Sequence, residues 1–185
     1  MKFLKPLKFF EESVKSSSTV LFGLSVCDKH VSLSISNGIK MSAFLFGYWP
    51  RDENCLDKLV NSIEGYMSKE SGDPGREDVD GIIVGKNPVG LIDEMCKTGK
   101  LKDLKYTYWE DNITSKRAEF TSKYHMDVLG RCRRPATVDM ISGIYVLQGN
   151  LDFFNTLLHR NDPHLYPRPR EPFLHKLNTE RLPNE

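Results

Sequence analysis

Phe22-Gly23-Leu24-Ser25-Val26-Cys27-Asp28-Lys29-His30-Val31-Ser32-Leu33-Ser34-Ile35-Ser36-Asn37 holds two β-strands and the turn between them. From Thr19 to Val26 the residues are apolar and β-branched, as in a buried strand. Cys27-Asp28-Lys29 suits a tight turn. From His30 to Asn37 the chain alternates, with Val31, Leu33 and Ile35 on one face and Ser32, Ser34 and Ser36 on the other. A period of two predicts a half-buried strand, because successive strand side chains point to opposite faces. The two strands are expected to pair as a hairpin.

Outward from this hairpin the elements follow in order. Asn37-Gly38 is a turn signal, and Met41 to Trp49 supplies a third strand that Pro50-Arg51-Asp52 ends. Leu56, Leu59, Val60, Ile63 and Met67 recur at helical spacing. Residues 68–78 are Gly- and Pro-containing loop, Val79 to Gly85 a short buried strand, and Asn87-Pro88 opens a short helix toward Lys97. Lys105 to Glu110 is another strand. Thr114 can cap a helix through Phe120 by accepting an orphan backbone N–H. Val138, Ile141, Ile144, Tyr145 and Leu151 line a long final helix. A meander followed by α/β crossovers predicts an α/β domain with a mixed five-stranded sheet flanked by helices.

The chain has 185 residues, 39% hydrophobic and 28% charged, which allows one domain with a real core. Its net charge of +1 names no partner. The four cysteines are scattered without a CxxC pair, which argues for free thiols in a reducing compartment and against a disulfide scaffold or a zinc site. No apolar run approaches the roughly 20 residues of a membrane helix, so no membrane partner is expected.

The organisation has three parts. Residues 1–18 form an amphipathic helix, with Phe3, Leu4, Leu7, Phe10 and Val14 on one face and Lys2, Lys5 and Lys8 opposite. Interrupting lysines and the acids Glu11 and Glu12 disfavour a signal or transit peptide, so the expected location is cytoplasmic, an organelle being the alternative. Residues 19–158 form the main domain. Residues 159–185 carry five of the ten prolines and are expected to be extended, wrapping the domain or meeting a protein partner.

Three acidic motifs carry the chemistry. Gly23-Leu24-Ser25-Val26-Cys27-Asp28-Lys29-His30-Val31-Ser32-Leu33-Ser34 resembles the opening pattern G-x-D-x-G-x-[KR]-x-[IV]-G-[LV]-A of the YqgF/RuvX-type nuclease family. Glu110-Asp111-Asn112-Ile113-Thr114-Ser115 resembles its second motif, and Asp139 through Leu151 its third, D-x-x-A-A-x-x-I-L-x-x-Y-L. Gly81-Ile82-Ile83-Val84-Gly85 resembles the family's central strand. The resemblance spans Leu21 to Leu151 and is closest to a divergent plant type. It implies an RNase H-like fold and a place among proteins linked to pre-16S-type rRNA processing and Holliday-junction resolution.

The same resemblance implies the site. RNase H-like nucleases cut phosphodiesters with two divalent cations, one generating hydroxide and one stabilising the leaving oxygen. Carboxylates hold Mg2+ or Mn2+ because these ions take hard oxygen ligands. The implied catalytic and metal-binding acids are Asp111 and Asp139. The first-strand carboxylate, which bridges the two ions, is replaced by Ser25. A neutral hydroxyl does not substitute for that anion, so cutting is expected to be lost or strongly reduced. Asp28, three residues on, is the candidate rescuer. By themselves, Asp111 would be a solvated strand-end charge and Asp139 a partner of the helix macrodipole.

Basic charge concentrates between the second and third motifs. Residues 112–136 carry Lys116, Arg117, Lys123, Arg131, Arg133 and Arg134 against Glu119 and Asp127, a net +4 in a chain of +1. With Lys29, the residues Lys116, Arg117, Arg131, Arg133 and Arg134 are the candidate phosphate contacts for structured RNA or branched DNA, giving salt-sensitive, sequence-independent affinity. Two other readings stay open: a working Mg2+ endonuclease using Asp111, Asp139 and Asp28, and a non-catalytic protein-interaction module, a homodimer included. The five histidines show no metal-ligand spacing and are read as ordinary.

Overall fold

A computed structural model describes residues 1–15, 19–68, 77–85, 90–109 and 135–161. The elements are β1 (Lys2–Phe3), α1 (Pro6–Lys15), β2 (Thr19–Val26), β3 (His30–Ser36), β4 (Ala43–Pro50), α2 (Cys55–Ser68), β5 (Asp78–Val84), α3 (Leu91–Lys97), β6 (Lys105–Tyr108) and α4 (Pro135–Asn161). The expected helix from Thr114 to Phe120 lies outside the described residues.

The strands form one mixed sheet in the order β1-β6-β5-β2-β3-β4. The β2–β3 and β3–β4 pairs are antiparallel; β5 joins β2, and β6 joins β5, in parallel. Without β1, this is a three-strand meander extended on the side of its first strand by two parallel crossover strands, the RNase H-like arrangement that the resemblance implies. The sheet has six strands where five were expected. The extra one is β1, because residues 1–18 are not helix throughout: Lys2 and Phe3 pair in parallel with Lys105 and Tyr106. Consequently Phe3 and Leu7 lie exposed, and α1 anchors itself through the fully buried Phe9.

β2 is central, so both its faces are apolar. Phe22 and Leu24 pack with Val31, Leu33, Ile82 and Val84 beneath Leu59, Ile63 and Met95 from α2 and α3. Leu21 on the opposite face packs with Phe9, Ile83, Val146, Leu147 and Leu151 under α1 and α4. Each such side chain contributes about 1.5–3 kcal/mol on burial.

The alternation in β3 is real, but its polar face is not solvent-exposed. Ser32, Ser34 and Ser36 are all buried, because α4 lies across them. Ser32 Oγ accepts the Gly143 N–H at 2.9 Å. Ser34 Oγ is 2.8 Å from the Gly143 carbonyl and 3.1 Å from that of Gly23. Ser36 Oγ accepts the Leu21 N–H at 2.9 Å. The helix correspondingly buries Ser142, Gly143, Val146, Leu147, Asn150, Leu151 and Phe154. Of the expected stripe, Leu151 lies on this face, whereas Ile141, Ile144 and Tyr145 are only half-buried. Small and polar residues on this face match the serine row, a pattern that apolar periodicity does not detect. The helix runs to Asn161, past the expected boundary at 158.

The chain turns between β3 and β4 at Asn37-Gly38 as expected. Lys40 there takes the left-handed conformation, with φ 54°. Asn37 organises the turn through its side chain, its Oδ1 accepting the Met41 and Ser42 N–H groups.

Candidate functional site

Gly23, Ser25 and Cys27 alternate onto the face of β2 covered by α4, and His30 and Ser32 onto the same face of β3. Register fixes them as neighbours: Ser25 pairs with Ser32, and the Cys27 N–H donates to the His30 carbonyl at 2.8 Å. Tyr48 pairs with Ser32 from β4. Above this row stands Asp139, one helical turn before Gly143. The spacing of four places both on one side of the helix, so the close approach of Gly143 to Ser32 brings Asp139 down beside the strand ends.

The Asp139 carboxylate is engaged there. His30 Nδ1 donates to Asp139 Oδ2 at 3.0 Å. The His30 ring stacks on Tyr48, with centroids 4.8 Å apart and planes 21° from parallel. The Cys27 thiol is near enough to Asp139 and Ser25 to feel both electrostatically. Burial pushes the Cys27 thiol up to about 11, and the negative charge of Asp139 adds to the rise. Burial likewise raises the Tyr48 phenol, with Asp139 again contributing. Cys27 is therefore a protonated S–H donor at neutral pH; an activated nucleophile would need the thiolate.

Ser25, expected from sequence to share a site with Asp139, lies on the strand that pairs with the one bearing His30, the partner of Asp139. Asp28 is exposed in the β2–β3 turn. Lys29 is exposed beside it, its carbonyl accepting the Arg51 N–H at 2.8 Å. Asp111, Lys116, Arg117, Arg131, Arg133 and Arg134 lie outside the described residues. β6 ends at Tyr108, and the Trp109 N–H continues the ladder to the Val84 carbonyl at 2.8 Å.

Sequence reasoning treated His30 as ordinary and Cys27 only as a free thiol. Cys27 is free, and His30 contacts the third acid. The available signal was the Cys27-x-x-His30 spacing across a tight turn, which puts both on one sheet face at the end of the strand bearing Ser25.

These residues do not fit a two-cation centre. Ser25 supplies no anion, and an Asp139 oxygen already accepts from His30. Among the described residues, no three His, Cys, Asp or Glu side chains are arranged to hold a metal ion.

No protein-family model matches the chain, and no curated protein matches its sequence. Among solved structures, RuvC of Thermus thermophilus in complex with a Holliday junction substrate is similar over 76% of this chain and 96% of that one, at 8% identity and a TM-score of 0.40. A second Thermus thermophilus RuvC structure is similar over 72% and 96%, at 10% identity and a TM-score of 0.39. The fold assignment rests on the strand order and directions described above. Among the described residues, no helix is long and apolar enough to cross a membrane.

Proposed function

We propose that this protein binds structured nucleic acid on an RNase H-like scaffold and that its metal-dependent cutting is lost or strongly reduced. The observation that carries this reading is the engagement of Asp139 by His30 beside Ser25, at the place where the YqgF-type pattern has its first and third carboxylates. The basic segment at residues 112–136 supports the nucleic-acid part, since arginines and lysines there would supply phosphate contacts. The resemblance directs the substrate class to precursor rRNA of the pre-16S type or to branched DNA.

The test is binding to a structured rRNA precursor and to a four-way DNA junction at increasing salt. Affinity is expected to fall steadily with salt and to drop further in Arg133→Ala plus Arg134→Ala. Binding indifferent to both would sink the reading. Cleavage with Mg2+ or Mn2+, abolished by Asp139→Asn, would instead establish a working nuclease.

The edge strand favours a second reading, self-association. Ile39, Met41, Phe44 and Leu45 are exposed on β4 and the turn before it, and no charged residue interrupts Met41 to Pro50. Edge strands commonly carry charges that block pairing. Two copies could join antiparallel here without like charges meeting. Concentration-dependent dimerisation in sedimentation velocity, lost in Phe44→Lys, would support this; a monomer at all concentrations would exclude it.

A further inference from the structure

The mismatch between the residues present and a cation centre has a specific form. Asp139 is not simply missing a companion acid; its carboxylate already has a partner in His30. His30 and Cys27 flank the β2–β3 turn, tied together by the Cys27 N–H to His30 carbonyl bond at 2.8 Å. Stacking on Tyr48 fixes the imidazole plane. A preorganised turn therefore presents the His30 N–H toward the Asp139 carboxylate. Hydrogen-bond donors and a divalent cation compete for the same oxygen lone pairs. The His30 bond takes one of the carboxylate's lone-pair directions and fixes its orientation, so a cation must use the remaining directions as that bond leaves them, and Mg2+ tolerates little departure from near-octahedral oxygen contacts at about 2.0–2.1 Å.

We infer that His30 has taken the place of the divalent cation as the partner of Asp139, so that restoring the first-strand carboxylate does not by itself restore a cation site. This rests on reading Asp139 as the third acid of the proposed scaffold, and it deepens that reading by naming the residue that blocks reversal.

The experiment measures Mn2+ binding by electron paramagnetic resonance on the full chain in four forms: native, Ser25→Asp, His30→Ala, and Ser25→Asp with His30→Ala. Circular dichroism reports folding for each. The double variant is expected to bind Mn2+ at least tenfold more tightly than Ser25→Asp, and adding Asp139→Asn is expected to abolish the gain. Equal affinity of Ser25→Asp and the double variant, or tight binding by the native chain, would overturn the inference. If a substituted chain does not fold, nitrogen-15 NMR of the native histidines decides. The inference requires a proton on His30 Nδ1 whose resonance shifts in Asp139→Asn; an unprotonated Nδ1 overturns it. None of these readouts involves nucleic acid, so failure of binding in the junction and rRNA experiments remains separable from failure here.

Discussion

The backbone of Gly143 lies against the side chain of Ser32. Its N–H donates to Ser32 Oγ at 2.9 Å, and a β-carbon built on Gly143 would stand 2.4 Å from that oxygen and 3.1 Å from the Ser32 carbonyl oxygen. This contact sets the height of α4 over the sheet, and with it the reach of Asp139 to His30.

Gly143→Ala should therefore destabilise the protein, although alanine is the better helix former by about 1 kcal/mol. The new methyl group must push the helix off the strand, an overpacking cost of about 1–3 kcal/mol. Urea unfolding measures the loss. An unchanged or higher midpoint would show that α4 rides more loosely than described.

Ser34 bonds within the same seam, near the carbonyls of Gly143 and Gly23. Ser34→Ala removes the hydroxyl between two buried acceptors. A cost of about 1–2 kcal/mol is expected by the same unfolding measurement. A neutral result would mean that the serine row is dispensable polarity.

Cys27 gives a pH test. Burial holds its thiol at about 11, above the ordinary thiol range, so the folded state retains the thiol proton longer than the unfolded chain. The stability linked to this proton is fully present below about pH 9 and is lost as pH rises through about 11. At pH 8.5, iodoacetamide should label Cys27 far more slowly in the native protein than in urea, as read by peptide mass mapping. Equal labelling rates would show an exposed, ordinary thiol.

Asp80 is a buried charge held by two lysines. Its side chain is 6% exposed, with Lys40 Nζ at 3.7 Å and Lys105 Nζ at 3.6 Å. Burial lowers the Lys40 ammonium, and Asp80 opposes that shift. Asp80→Asn should cost about 1–3 kcal/mol, since it leaves two cations without their shared anion. Lys40→Gly should be less damaging than Lys40→Ala by about 1 kcal/mol, because both lose the ion pair but glycine relieves the left-handed backbone at φ 54°. Chemical denaturation of the three variants checks the order; Lys40→Ala as stable as Lys40→Gly would refute the strain argument.

Much of the fold was legible. β3 and α2 carry strong periodic patterns and β2 a continuous apolar run, because burial on one face or on both is recorded directly in residue type and spacing. Asp80 was not legible as a charge with an enclosed side chain. It is the extra residue where β5 slips register, Val20 pairing with Val79 but Leu21 with Gly81, and a bulge breaks the alternation that sequence reading depends on. β1 escaped notice because two residues carry no period. The serine row was seen, but its burial was not, since alternation gives the two faces of a strand without saying what covers each.

The sequence alone determined the order of elements from β2 to β6, the apolar faces of β2 and α2, and the replacement of the first acid by Ser25. These are properties of residue type and spacing along one chain. Only the tertiary structure decided that β3 is covered on both faces, and that Asp139 meets His30 rather than standing open to solvent. That meeting joins residues 109 positions apart. It depends on how closely a glycine lets α4 approach a strand, a distance set by packing between elements and not by periodicity within either one.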